Sequence, residues 1–440
     1  VTTSTSLNVR ALLKEAVARS GMDAPVRALS GLNGPAKALY VAAAANAMPR
    51  GVVLYVVPGD RDLEQAVRDV CFFMSALEGL SDTAADRAVL AFPSHEVDPY
   101  RGMTPHVGVT SARARALHAI ATGAARIVVA SAPALLPRVS APSRLLNASI
   151  DLKPGSDIAP TDLGELLADA GFRREDPADE HGEFAVRGGI LDVFPAHEPE
   201  PVRLEFIGDT IETLRCYDPG TQRSTRPIDQ VTVIPLSDIL GDDRDGTLFD
   251  YLSRARETKT IVSEPEDARA ALERLAEQIA TSYDNVTSRT PEPVIESAWI
   301  DEGWDDEESP ERERPRQGRP APSVRTTPGG RKVLRAPEPS SEDEAPWARD
   351  VSRRPATKAR PYVPPPGELR PPSELFLDVD AVVSRLASAT ALVELGIEDP
   401  TTSTPGTHAP GTIRCQPTIE FRGRVPDWVA DIKRLREAGE

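Results

Sequence analysis

The stretch GLNGPAKALYVAAA, residues 31–44, nearly fits the phosphate-binding template G-x-x-x-x-G-K-[ST]. Gly31 stands at the first glycine and Lys37 at the lysine, with Gly34 between them. The positions that carry most of the chemistry are changed. Ala36 replaces the glycine that lets backbone N–H groups close around phosphate. Ala38 replaces the hydroxyl residue that ligates Mg²⁺. ATP hydrolysis is not expected at such a loop. From these residues alone the simplest reading is a turn before an alanine-rich helix, with Lys37 solvated.

No other constellation offers catalysis. His95, His106, His118, His181, His197 and His408 are scattered, without the i, i+4 pair of a metal-binding helix. Cys71, Cys216 and Cys415 lie far apart, which indicates neither a zinc site nor a disulfide framework. No catalytic residue and no metal are expected. The formal net charge of −17 is a poor footprint for duplex DNA and favours a protein partner. The N-terminus lacks an apolar signal core and no run reaches the length of a membrane span, so a cytoplasmic protein without membrane contact is expected.

The elements that must position these residues fall into blocks. With 440 residues the chain has length for two or three domains, and at 40% hydrophobic content it has a core to bury. Residues 1–22 read as an amphipathic helix with Leu12, Leu13 and Val17 on one side. GVVLYVV (51–57), RAVLAFP (87–93) and ARIVVAS (125–131) are apolar runs of the kind buried on both faces of a parallel sheet. Helical spacing separates them. The second helix, TSARARALHAIATG, is expected to start at Thr110 or Ser111 and to stop at Gly123. This alternation predicts an α/β domain over residues 1–150, built on a doubly wound parallel sheet.

The pattern changes over 151–238. One short helix ending at Gly171 precedes strand-like runs joined by Gly- and Pro-containing turns, which predicts a small α+β module. Residues 239–289 read as a helical connection. Residues 290–371 hold an acidic block and then Pro- and Arg-rich sequence, too poor in apolar area to offset chain entropy, and read as a disordered insertion. Order is expected again over 372–440, ending in a helix with Pro426 in its first turn and Val425, Val429, Ile432 and Leu435 on one face. The chain stops after that helix, without the strand it would feed.

Residues 182–224, GEFAVRGGILDVFPAHEPEPVRLEFIGDTIETLRCYDPGTQRS, resemble the transcription-repair coupling factor (Mfd) family and, more distantly, the second domain of the excision-repair protein UvrB. FPSHEVDPYRGMTPHVGVTSARARALHAI (92–120) and CQPTIEFRGRVPDWVADIKRLREAGE (415–440) also resemble the coupling factors. The likeness covers about 1–280 and 372–440 and leaves the insertion unexplained. It implies a UvrB-like α/β domain with a degenerate P-loop, split by an α+β module that binds UvrA. The chain would then be a non-catalytic N-terminal module that recruits UvrA to stalled RNA polymerase. ATP and Mg²⁺, like RNA polymerase and double-stranded DNA, would be engaged only by motor domains outside this chain. The alternatives are part of an intact ATP-dependent DNA translocase, or a UvrB-like damage-loading protein.

The resemblance also implies site residues. Arg187 and Arg174, thirteen residues apart, match arginines that contact UvrA, and Phe194, Arg203 and Glu205 are candidates for the same surface. Arginine suits such a contact because its planar fork pairs with carboxylates and stays charged when partly desolvated. Each candidate also has a plainer reading. Arg187 would pair a nearby carboxylate, Phe194 would pack in the core, and Arg203 and Glu205 would pair across strands. Gly31, Gly34, Ala36, Lys37 and Ala38 become the relic of a nucleotide loop, not expected to bind.

Overall fold

The computed structural model describes residues 8–20, 26–288, 324–326, 332–334, 369–394 and 425–438. The chain divides into a compact unit, Val1–Ser288 with Val363–Glu440, and a second unit, Arg289–Tyr362.

Helix α1 (Val9–Ser20) turns Leu13 and Val17 toward the core. Strand β1 (Ala28–Ser30) runs into Gly31, whose φ of 82° suits glycine, and then into α2 (Gly34–Ala47). Strand β2 (Val52–Val57) is buried at all six positions. Helices α3 (Asp60–Glu78) and α4 (Asp82–Ala88) follow, then β3 (Val89–Phe92), α5 (Val107–Thr122) and β4 (Ile127–Ser131). Arg87 and Ala88 close α4, so β3 begins two residues later than its apolar run. Helix α5 starts before Thr110: His106 caps it by accepting from the Gly108 amide at 3.0 Å. The Thr110 and Ser111 hydroxyls donate back to the Val107 and Gly108 carbonyls inside the helix.

After α6 (Pro142–Ala148) the chain builds a second sheet. Strand β5 (Ile150–Leu152) and helix α7 (Pro160–Asp169) lead to β6 (Arg173–Arg174), β7 (Glu183–Arg187), β8 (Ile190–Val193), β9 (Val202–Ile207), β10 (Thr210–Asp218) and β11 (Arg223–Pro227). The order is β11-β10-β9-β8-β7-β6, antiparallel except for the parallel β6–β7 pair. Strand β12 (Val231–Val233) pairs with β5. Leu163 and Leu167 of α7 pack on Phe184, Leu191, Val193, Val202 and Leu204, so one face of this sheet is covered.

The chain then returns to the first sheet. Helix α8 (Leu248–Leu252) is closed by a capping box between Thr247 and Asp250. Strand β13 (Thr258–Ser263) follows, then α9 (Pro265–Thr287). Residues 239–289 are therefore more than a helical connection. Strand β13 is central, and alternating Thr and Lys in its first half, TKT, hide it from a search for apolar runs. Two short strands, β14 (Val324–Thr326) and β15 (Lys332–Leu334), pair antiparallel in the second unit. The rest of the 290–371 expectation up to residue 368 lies outside the described residues. So does the 415–424 part of the C-terminal resemblance.

Helices α10 (Pro372–Leu375) and α11 (Val379–Leu386) precede β16 (Thr390–Val393), and α12 (Val425–Ala438) ends the described chain. The first sheet is six-stranded and wholly parallel, in the order β1-β16-β13-β2-β4-β3. Alternate residues of β2 feed two cores. Val53, Tyr55 and Val57 meet α2 and α3 on one side, and Val52, Leu54 and Val56 meet α5, α8 and α9 on the other. The molecule is α/β: a P-loop-like parallel sheet interrupted by a small α+β module. Among the described residues no helix is long and apolar enough to cross a membrane.

Candidate partner-binding face

The second sheet has one face under α7 and one turned away from it. Strand alternation assigns the side chains. Phe184, Leu191, Val193, Leu204 and Leu214 lie on the covered face, and Arg187, Ile190, Asp192, Arg203, Glu205 and Thr213 on the other. Two tight hairpins end this face. Gly188 (φ 60°) turns β7 into β8, and Gly208 (φ 63°) turns β9 into β10. Gly189 leaves little room for a side chain, because an added Cβ would meet the Phe206 carbonyl oxygen at 3.2 Å.

Asp192 organises the middle of the face. It is 1% exposed, and Arg203 grips both its oxygens, Nε at 2.7 Å and Nη2 at 2.8 Å. Arg203 also donates to the Gln222 carbonyl (3.2 Å) and lies over the Tyr217 ring, 4.9 Å from its centroid. Glu205 accepts from the Thr213 hydroxyl at 2.8 Å. Both therefore make the cross-strand pairings of the plainer reading.

Arg187 is 40% exposed at its side chain. Its Nε donates to Asp176 Oδ2 at 3.0 Å and its Nη2 to the other oxygen, while Nη1 lies 4.0 Å from Asp192 Oδ2. That hydrogen bonding holds the Asp176 carboxyl below its ordinary range. Asp176 belongs to a segment, residues 175–182, that lies over this face. Tyr217 donates its hydroxyl to the Ala178 carbonyl, and Glu183 accepts from the amides of Asp179 and Glu180.

Arg174 ends β6, paired in register with Phe184, so alternation turns its side chain to the α7 side of the sheet, opposite Arg187. That side chain is exposed and has no hydrogen bond or ion pair among the described residues. Phe194 differs from the expectation of a surface anchor. It is 5% exposed, because the His181 ring lies against it with centroids 3.9 Å apart. Exposed apolar surface comes instead from Ile190 and from Ile207, which is 69% exposed. Sequence reading missed both. It also missed Asp176 and Asp192, the carboxylates that hold the arginines.

The loop from Gly31 to Ala38 lies at the C-terminal ends of the parallel strands, where ligands of such sheets bind. A cleft of about 1850 Å³ opens there. Lys37 is not solvated: it is 4% exposed, and its Nζ meets Glu264 Oε1 at 2.5 Å and Ser263 Oγ at 3.1 Å. The same Glu264 oxygen accepts from the Glu394 amide (2.8 Å). The Ala36 amide is taken by the Asn33 side chain at 3.0 Å, and Pro35 has no N–H to offer. A phosphate would find the lysine and a loop donor already satisfied. Nine carboxylates against five Lys and Arg line the cleft, which also disfavours a polyphosphate.

Residues 150–238 match the family described as the UvrB interaction domain. The chain is similar to the transcription-repair-coupling factor of Escherichia coli, 30% identical over 240 residues, which is 54% of this chain and 20% of that protein. It is also similar to the coupling factor of Bacillus subtilis, 28% identical over 218 residues, 48% of this chain and 17% of that protein. The UvrABC system protein B of Synechococcus elongatus is 34% identical over 109 residues, 25% of this chain and 16% of that protein. The chain thus resembles the N-terminal portion of the coupling factors, matching about a fifth of their length.

Proposed function

We propose that this chain is a docking module for UvrA in transcription-coupled repair, acting through the β6 edge and the hairpin end of its second sheet and performing no catalysis itself. One observation carries the reading: the UvrB interaction domain match falls on the sheet that presents an Arg174 side chain without a partner among the described residues on its edge strand and, at its hairpin end, an exposed Arg187 and bare Ile190 and Ile207. Arginines beside apolar surface are the composition of binding hot spots. In this reading the module recruits UvrA to stalled RNA polymerase. Contacts with RNA polymerase and double-stranded DNA, and the use of ATP and Mg²⁺, are not assigned to it.

The test is direct binding to purified UvrA. Arg174→Ala and Arg187→Ala are each expected to weaken it by roughly 10- to 30-fold, the hot-spot range of about 1.4–2 kcal/mol. Phe194→Ala is not a useful probe, since it would empty a buried site. Absence of binding by the wild-type chain, or affinity unmoved by both arginine substitutions, would sink the reading.

A further inference from the structure

We infer that Asp176 is a resident stand-in for a carboxylate of the partner: it occupies the fork of Arg187 in the free chain, surrenders it on docking, and so tunes the affinity of that contact. This rests on the function proposed above and names how the same face is regulated.

Arg187 has two acidic neighbours of opposite character. Asp192 is buried and both its oxygens are held by Arg203, so it is a fixed part of the sheet. Asp176 has a side chain 62% exposed, and among the described residues Arg187 is its only side-chain partner. The two carboxylates also take different edges of the guanidinium. Asp192 lies toward Nη1, at 4.0 Å. Asp176 takes the Nε–Nη2 edge, a pair of parallel N–H groups that suits a carboxylate bidentately. A partner carboxylate arriving at that edge can replace Asp176 bond for bond, while Asp192 keeps the guanidinium oriented from behind.

The exchange is cheap because the outgoing pair is exposed, and exposed ion pairs contribute little. Until it happens, Asp176 offsets the positive field of the edge, leaving the unpaired Arg174, two residues upstream, to attract the partner. The partner surface is therefore acidic where it meets Arg187, with apolar area beside it to cover Ile190 and Ile207.

Removing the stand-in should strengthen docking. UvrA binding is measured for the wild-type chain and for Asp176→Asn, Arg187→Ala and the double variant, at low and at physiological salt. Asp176→Asn is expected to bind about two- to five-fold tighter, with a faster association rate that falls more steeply with salt. In the Arg187→Ala background the gain should vanish. Binding that Arg187→Ala weakens but that Asp176→Asn leaves unchanged or also weakens would overturn this inference alone. So would a gain that persists without Arg187. A wild-type chain that does not bind UvrA overturns the reading beneath it and the inference together.

Discussion

The ammonium of Lys37 is satisfied twice within the chain, by Ser263 and by Glu264. Both partners lie at the end of β13, more than two hundred residues downstream. The pairing gives Lys37 a structural role, fastening the start of α2 to a central strand. Lys37→Met should destabilise the chain by about 1–3 kcal/mol, below the usual loss for half of a buried pair because the Glu264 side chain keeps some solvent. Urea unfolding checks this, and an unchanged midpoint would show the pair to be idle. Millimolar ATP should not raise the thermal midpoint of the wild-type chain, because the donors it needs are taken. The sequence showed the lost glycine and hydroxyl, but not Glu264. In a chain with 68 acidic residues, no single carboxylate announces its partner. Asp176 and Asp192 were hidden for the same reason. Arg187 was visible through the motif around it, whereas its bonds belong to the fold.

Among the elements, the long apolar strands β2 and β4 were legible because each is buried on both faces. The three-residue β1, the half-polar β13 and the four-residue β16 were not. Their place is created by pairing with distant chain: Ala28 with Ala391, and Ile261 with Tyr55 and Thr390. The antiparallel module was legible from its glycine turns, and its two faces followed from alternation. The long excursion after α9 is bracketed by packed residues. Tyr283 and Val286 near the end of α9 and Leu369 after the excursion join one cluster around Tyr100, Ile279 and Leu375. The Tyr100 hydroxyl also donates to the Arg370 carbonyl at 2.9 Å. With both ends pinned together, replacing residues 290–366 by about eight Gly and Ser residues should preserve the six-stranded sheet. Stability should rise by roughly 1–2 kcal/mol from the shorter closure. Loss of the cooperative urea transition in that variant would mean that the excursion is needed for folding.

At the scale of the whole molecule, the two sheets meet through charged and titratable groups rather than through one continuous apolar core. Asp238, where the second module ends, is fully buried against Arg113 of α5 (2.7 Å) and His95 (3.2 Å). Burial alone would push its carboxyl up, but Arg113 and His95 outweigh that and hold it well below the ordinary range. A second contact joins α4 and α5 to the β8–β9 connection: Arg87 reaches Glu198 at 3.3 Å, and His197 lies beside Arg115 and His118. Burial, reinforced by Arg115, His118 and Arg87, lowers the His197 pKa to about 4. In the unfolded chain it titrates near its ordinary 6.5. The folded state therefore refuses a proton that the unfolded state accepts. The stability this residue permits is complete above pH 6.5 and is lost as pH falls from 6.5 toward 4, up to about 3 kcal/mol at the lower end. The His95 pKa is lowered in the same direction, chiefly by burial. The depressed Asp238 adds its own loss only at lower pH, below the ordinary carboxylate range. Urea midpoints of the wild-type chain should thus fall between pH 7 and 4.5, and His197→Asn should flatten that fall by about 1–2 kcal/mol. If the two chains lose stability in parallel across this window, the joint between the sheets is not held by a neutral His197.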